Sequence, residues 1–243
     1  MREYAVDLHI HSALSPCAAE EMTPPGIVAR AREAGLDLIA ICDHNSSRNA
    51  AAVQQAAGGN PGVLAGIEIT TAEEVHLIGL FPDAGAAQTV ADAVEASLPP
   101  YAPSKHFGCP RVMDAEGRIV GTIDRMLGAA SSFTLEEAVD AIHRHGGLAV
   151  PAHVDRPSFS LLSQLGFFPE NAHFDAIELS AHGVQTGRQR DVSHHHLAVI
   201  VSSDSHNLCE IGSCRTALAL NAPDFASLAD NFKHPALRRY LLA

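Results

Sequence analysis

The 243-residue chain predicts an α/β protein built on a parallel sheet or barrel. Three observations carry this. Short apolar runs alternate with amphipathic helical stretches, the pattern of repeated strand–helix units. Hydrophobic residues make up 47% and aromatics only 5%, so the core must be built from Ala, Val, Ile and Leu. Finally, acid–histidine pairs stand where apolar runs end, as in barrels whose active sites gather at strand ends.

Strands are predicted near 4–9, 36–42, 63–69, 75–80, 147–152, 175–179 and 197–203. Helices are predicted at 24–34, 48–57, 85–97, 134–145, 158–165 and 223–230. Thr23-Pro24-Pro25 is a helix start, with an N-cap hydroxyl followed by proline in the first turn. Gly35 and Gly146 close the helices before them. Between Leu80 and Thr134 the alternation breaks at Pro99, Pro100, Pro103 and Pro110, and residues 111–120 read as a hairpin. A connection this long usually has a function. The expected organisation is therefore one barrel over 1–81 and 134–243, with an insertion at 82–133 that serves as a lid or specificity subdomain.

The formal net charge of −12 argues against a broad nucleic-acid-binding surface, although bound cations invert local electrostatics and 15 histidines are many for this length. Five cysteines with no CxxC pair read as reduced thiols. No apolar run approaches the ~20 residues of a membrane span. Met1-Arg2-Glu3 leads straight into a strand, so a cytoplasmic protein with no membrane partner is expected.

The chemistry-bearing residues follow the strands. Asp7-Leu8-His9-Ile10-His11 closes the first, and alternation places Asp7, His9 and His11 on one face, where two imidazoles can chelate a divalent cation and Asp7 can fix a histidine tautomer. Asp43-His44 closes the second and Asp204-Ser205-His206 the last. Glu68 is an acid inside an apolar strand, costly to bury unless it is paired or bound to metal. His76 opens a strand, while His153 and Glu178 close two others. Six histidines and three acids aimed at one rim are more than one metal needs. The remaining histidines, among them His143, His145 and His194-His195-His196, read as solvated or helix-end residues.

The segments Asp7-Leu-His9-Ile-His11-Ser12, Ile41-Cys-Asp43-His44-Asn45, Gly66-Ile-Glu68, Val75-His76-Leu-Ile-Gly79, Pro151-Ala-His153 and Ser203-Asp204-Ser-His206 resemble the motifs of the PHP (polymerase and histidinol phosphatase) family, in order and through almost the whole chain outside the insertion. The resemblance implies a distorted (β/α)7 barrel with two or three divalent metal ions, hydrolysing phosphate esters. It implies the ligands His9, His11, His44, Glu68, His76, His153, Asp204 and His206, with Asp43 either a ligand or an orienter of His44. Family members often carry an Asp or His soon after the first motif. Here that stretch offers Cys17, Glu20 or Glu21. Zinc, manganese and iron are the expected ions, and a thiolate would favour zinc over manganese.

Glu68 is the natural bridging carboxylate, and metal-bound hydroxide the expected nucleophile. Glu68 and Asp204 are thus expected to be catalytic. Ser12 and Ser205 are expected to hydrogen-bond behind the ligands. Arg156 is expected to neutralise phosphate charge, the alternative being an ion pair with Asp155. His182 is a further candidate for phosphate contact or leaving-group protonation. The expected function is a metal-dependent phosphoesterase acting on a small phosphorylated metabolite or short nucleotide. One alternative is an amidohydrolase-type barrel, weakened because the only lysines, Lys105 and Lys233, are not placed to bridge metals. The other is a non-catalytic metal-stabilised module.

Overall fold

The computed structural model describes residues 1–102, 108–169, 171–188, 196–234 and 239–242. Its strands are β1 (Arg2–Ile10), β2 (Leu38–Ile41), β3 (Gly62–Thr70), β4 (His76–Phe81), β5 (Arg111–Met113), β6 (Ile119–Thr122), β7 (Leu148–Pro151), β8 (Ala176–Leu179), β9 (Ala198–Val201), β10 (Cys214–Leu220) and β11 (Arg239–Leu242). Its helices are α1 (Pro24–Glu33), α2 (Ala50–Ala57), α3 (Ala84–Ser97), α4 (Leu135–Arg144), α5 (Leu161–Leu165), α6 (Ala181–Gln185) and α7 (Phe225–Lys233).

One sheet runs β11-β10-β1-β2-β3-β4-β7, and β8 pairs with β9 in a second. Backbone hydrogen bonds stitch the two into a ring. Asp175 N donates to Ala149 O and Val154 N to Glu178 O, both at 2.9 Å, and His11 N donates to Ser205 O at 3.0 Å. The ring is therefore β1-β2-β3-β4-β7-β8-β9, a distorted seven-stranded barrel. Its strands are not all parallel. β4 runs antiparallel to both β3 and β7, so its first residue, His76, reaches the rim where the other strands end.

Alternation along the strands separates two apolar layers. Val6, Leu8, Leu38, Ala40, Leu64, Ile78, Leu80, Val150, Ala176 and Ile200 fill the barrel, with Leu228 and Phe232 of α7 joining them. Ile39, Ile41, Ile67, Ile69, Leu77 and Ile177 face outward against Ile27 and Val28 of α1, Val53 of α2, Val90 and Val94 of α3, and Ile142 of α4. β1 breaks its own alternation: Leu8 belongs to the inner layer but Ile10 to the outer. The cause is a bulge, since pairing with β2 slips between Asp7 and Ile10. From His9 onward the phase is inverted, so His9 and His11 point inward above the apolar filling.

Caps set the helix boundaries where the sequence places them. Thr23 Oγ1 accepts from Gly26 N at 3.2 Å, and Gly35 follows α1 with φ +68°. Thr134 and Glu137 form a capping box at α4. Between α3 and α4 the chain forms the β5–β6 hairpin and lies against the site's loops. Asn45 Nδ2 donates to Leu127 O and Ala129 O, and Ser131 N donates to Thr70 O. Among the described residues no helix is long and apolar enough to cross a membrane.

Candidate metal centre

Every strand of the ring contributes to one buried cluster at its rim. β1 supplies His9 and His11, both fully buried. The register of β2 and β3 continues past β2 as a bridge between His44 and Glu68, with Glu68 N donating to Asp43 O and Asn45 N to Glu68 O. β4 supplies His76, the end of β7 leads to His153, β8 supplies Glu178, and the end of β9 leads to Asp204 and His206. Asn45, His153 and Asp204 hold positive φ of 51°, 29° and 51°. Such strain in non-glycine residues gathers at functional sites.

Three groups place their ligand atoms within 4.8 Å of one another: His9–His11–Asp204, His44–Glu68–His76 and His11–His44–His206. Glu68 is at the middle. Its oxygens stand 2.8 Å from His44 Nδ1 and from His76 Nδ1, and 3.3 Å from His153 Nε2. Glu68 is only 1% exposed, yet neither oxygen receives an aligned hydrogen bond. A buried carboxylate without donors is costly unless a cation is its partner. The donor set of imidazoles and carboxylates therefore fits divalent metal ions.

The electrostatics agree. Burial works against protonation of His9, but Asp204, Glu178 and Glu68 outweigh it and hold its pKa well above the ordinary value. Burial also opposes ionisation of Glu68, and His76, His9 and His44 together keep it well below the carboxylate range. His11 is pushed well down, first by burial and then by His206 and His44. Cations thus serve as the natural complement to two strongly anionic carboxylates among crowded imidazoles.

A model of the family described as PHP-associated matches residues 190–236. Across the chain there is 28% identity to the 5′-3′ exoribonuclease Rnm of Escherichia coli, covering 85% of this chain and 87% of that protein. The fold superposes on a lesion-specific endonuclease of Pyrococcus furiosus with a TM-score of 0.69 at 19% identity, covering 99% of this chain. This chain spans 58% of that endonuclease chain. A protein of Bifidobacterium adolescentis described as a metal-dependent phosphoesterase superposes with a TM-score of 0.60 at 19% identity, covering 96% of each chain.

The chain resembles the PHP family in this C-terminal match and in its fold.

The relatives it resembles are described as an exoribonuclease and a metal-dependent phosphoesterase. One expectation about PHP function here is overturned. Net charge pointed to a small phosphorylated substrate or short nucleotide and no extended nucleic-acid surface. Yet Rnm is an exoribonuclease, and Endonuclease Q (TM-score 0.68, 18% identity, 98% of this chain and 58% of that one covered) is solved on a 27-mer duplex with an abasic lesion at its active site. The physical reason is that −12 is a sum over the whole chain. Several acids are buried in the centre, where metal ions reverse the local sign.

The PHP-type residues gather as the motifs imply, with four departures. Asp7 does not orient His9. The bulge turns it away, and its carboxylate accepts from Ser203 N and Gly212 N, both at 3.0 Å. Glu178, expected among the ligands, instead takes the orienting place: its Oε2 lies 3.0 Å from His9 Nδ1 and accepts from His153 N at 3.1 Å. Asp43 belongs to none of the three ligand groups, because its oxygens accept from Ser12 N, Ser12 Oγ and Ser15 Oγ at 2.7 Å each. Ser15 Oγ in turn contacts His11 Nδ1 at 2.9 Å and accepts from His44 N at 3.1 Å, so Asp43 acts through Ser15 on the His11 ring and on the His44 backbone. His182 is exposed on α6 and does not line the cavity.

Other expectations resolve plainly. Arg156 NH1 pairs with Asp204 Oδ2 at 2.6 Å and not with Asp155, whose carboxylate takes Ser180 N and Oγ. Of the three residues after the first motif, Glu20 is paired with Arg111 and Glu21 is exposed, while Cys17 lies beside His206 and His44. Burial works to raise the Cys17 thiol, but those two histidines pull it down to about 6. Lys233 ends α7 and takes no part in the centre, and Lys105, His106, His194 and His195 lie outside the described residues.

Proposed function

We propose that this chain is a nuclease that hydrolyses phosphodiester bonds from the 5′ end of RNA. The observation that carries the hydrolytic part is Glu68: a buried carboxylate ringed by imidazoles from four strands or strand ends, with an arginine at the mouth of the same cavity. The choice of substrate rests on Rnm, because that likeness covers 85% of this chain and 87% of the relative at 28% identity, whereas the endonuclease is longer and less similar.

In this reading the three ligand groups, with His153 beside Glu68, would hold two or three ions of zinc, manganese or iron. When bound, such ions activate water and stabilise charge on phosphate oxygens. The rest falls to side chains of the chain. Arg156 has a half-exposed side chain and holds Asp204 in place, and its free guanidinium edge is available to a phosphate oxygen. Glu178 fixes the tautomer of His9, and Asp43 with Ser15 fixes that of His11. Cys17 adds a soft donor beside His44 and His206, which favours zinc over manganese.

The test combines metal analysis of the purified protein with hydrolysis of a 3′-labelled oligoribonucleotide. At least two metal ions per chain and stepwise release of mononucleotides from the 5′ end are expected. Glu68→Ala should lower metal content and reduce hydrolysis by about a thousandfold together, the scale of losing a preorganised electrostatic group. Full activity in that variant would sink the bridging role, and intact RNA under all metals would sink the assignment.

A further inference from the structure

Phe159 stands at the cavity in a state that packing alone does not explain. It lines the space of about 200 Å3 in front of Glu68, together with His76, His153, Arg156 and Asp204. It is a large apolar side chain left 42% exposed. Its backbone holds φ +54°, a conformation that bulky residues avoid. The surroundings fix it there: His76 N donates to Phe159 O at 3.0 Å, and the next residue, Ser160, donates from Oγ to Arg156 O at 2.7 Å while capping α5. One face of the ring lies on the His76 imidazole, with centroids 4.9 Å apart and planes 22° from parallel. Part of the ring remains open to solvent at the mouth of the metal centre. Three residues before it, Arg156 presents a guanidinium to the same cavity.

We infer that Phe159 is the stacking platform for the nucleobase joined to the phosphate that Arg156 and the metal centre receive. This rests on the nuclease reading above and narrows it. A rigid four-residue stretch then offers a cation for the phosphate and an aromatic face for the base. Stacking tolerates any base because every base has a π-face, so the platform gives affinity for nucleic acid without a sequence code. It also separates nucleotide phosphoesters from phosphoesters that lack a base.

The experiment compares two oligoribonucleotides, one with an ordinary 5′-terminal base and one abasic at that position, on metal-loaded wild-type protein, Phe159→Ala and Phe159→Trp. Wild type should show a KM for the abasic substrate about tenfold above that for the normal one, the usual scale of a single base–aromatic stack. The ratio should fall to about one in Phe159→Ala and persist in Phe159→Trp. With 2-aminopurine as the terminal base, stopped-flow fluorescence should show quenching on binding to wild type and Phe159→Trp but not to Phe159→Ala. Metal content should be equal in all three, which separates stacking from mere support of His76. A wild-type ratio near one, or an unchanged ratio in Phe159→Ala, overturns the platform while leaving RNA hydrolysis standing. Failure of wild type to cleave either substrate overturns the nuclease reading and the platform with it.

Discussion

Glu178 decides how His9 presents its lone pair. Its Oε2 occupies the Nδ1 side of the ring, leaving Nε2 to face Glu68 and Asp204 at 3.4 and 3.3 Å. Glu178→Gln keeps the shape and removes the charge, so metal affinity should fall by about 10- to 100-fold, read by competition with a fluorescent chelator. Unchanged affinity would show that the charge behind His9 is idle. Asp7 makes a second prediction. Burial outweighs its hydrogen bonds to Ser203 and Gly212 and pushes its pKa up from 3.8 to about 6. Between those values the folded chain keeps a proton that the unfolded chain has released, so stability from this group is full below pH 3.8 and is lost as pH rises through about 6. At 1.36 kcal/mol per unit this is on the order of 3 kcal/mol. Asp7→Asn does not titrate, so urea unfolding should show wild type losing about that much relative to the variant between pH 4 and pH 7. A pH-independent difference contradicts it. The sequence placed Asp7 beside His9 because strict alternation was assumed, and nothing in Asp7-Leu8-His9 marks a bulge. The residues that gather at the rim were legible because each is a polar residue within or bordering an apolar run.

At the scale of elements, the seven strands of the ring were all legible in the sequence, since each is a short Val, Ile, Leu and Ala run bounded by turn residues. β10 and β11 were not. β10 reads Cys-Arg-Thr-Ala-Leu-Ala-Leu, and what makes it a strand is pairing with the first half of β1, a contact between opposite ends of the chain. The antiparallel course of β4 was likewise invisible, because apolar alternation carries no direction. The β5–β6 hairpin is attached by Arg111, through Ala13 O and Glu20, and by one buried side chain outside it. Asn49 donates to Ser12 Oγ and Arg111 O at 3.0 Å and accepts from Met113 N at 2.8 Å. Asn49→Ala leaves a carbonyl and an amide of β5 without partners, which costs about 1–3 kcal/mol for each buried group. Hydrogen–deuterium exchange should then speed up in residues 111–122 while β1 to β4 keep their protection. Uniform loss of protection would show that the hairpin is no separate unit.

For the molecule as a whole, the centre does more than hold ligands near a substrate. The ring is continuous from β1 to β7, but its closure through β8 and β9 depends on a few backbone bonds, two of them at the rim. The ligand groups bridge those same seams: His153 and Glu178 flank the β7–β8 join, and Asp204 and His206 meet His9, His11 and His44 across the β9–β1 join. Ions bound there would cross-link strands that the sheet alone joins weakly, and would stabilise the folded chain as far as they bind it in preference to the unfolded one. Each ion present at about 100 times its Kd adds about 2.7 kcal/mol. In a chain of this size 1 kcal/mol shifts Tm by about 2–4 °C. Two ions should therefore raise Tm by at least about 10 °C over chelator-treated protein, measured by circular dichroism at fixed pH. Glu68→Ala should lose half or more of that difference, because the removed carboxylate faces His9, His44, His76 and His153 at once. Equal Tm with and without chelator would mean that the barrel closes without its ions, and that the buried imidazoles and acids are held apart by packing alone. Crowded rings and an unsatisfied carboxylate make that the harder arrangement to sustain.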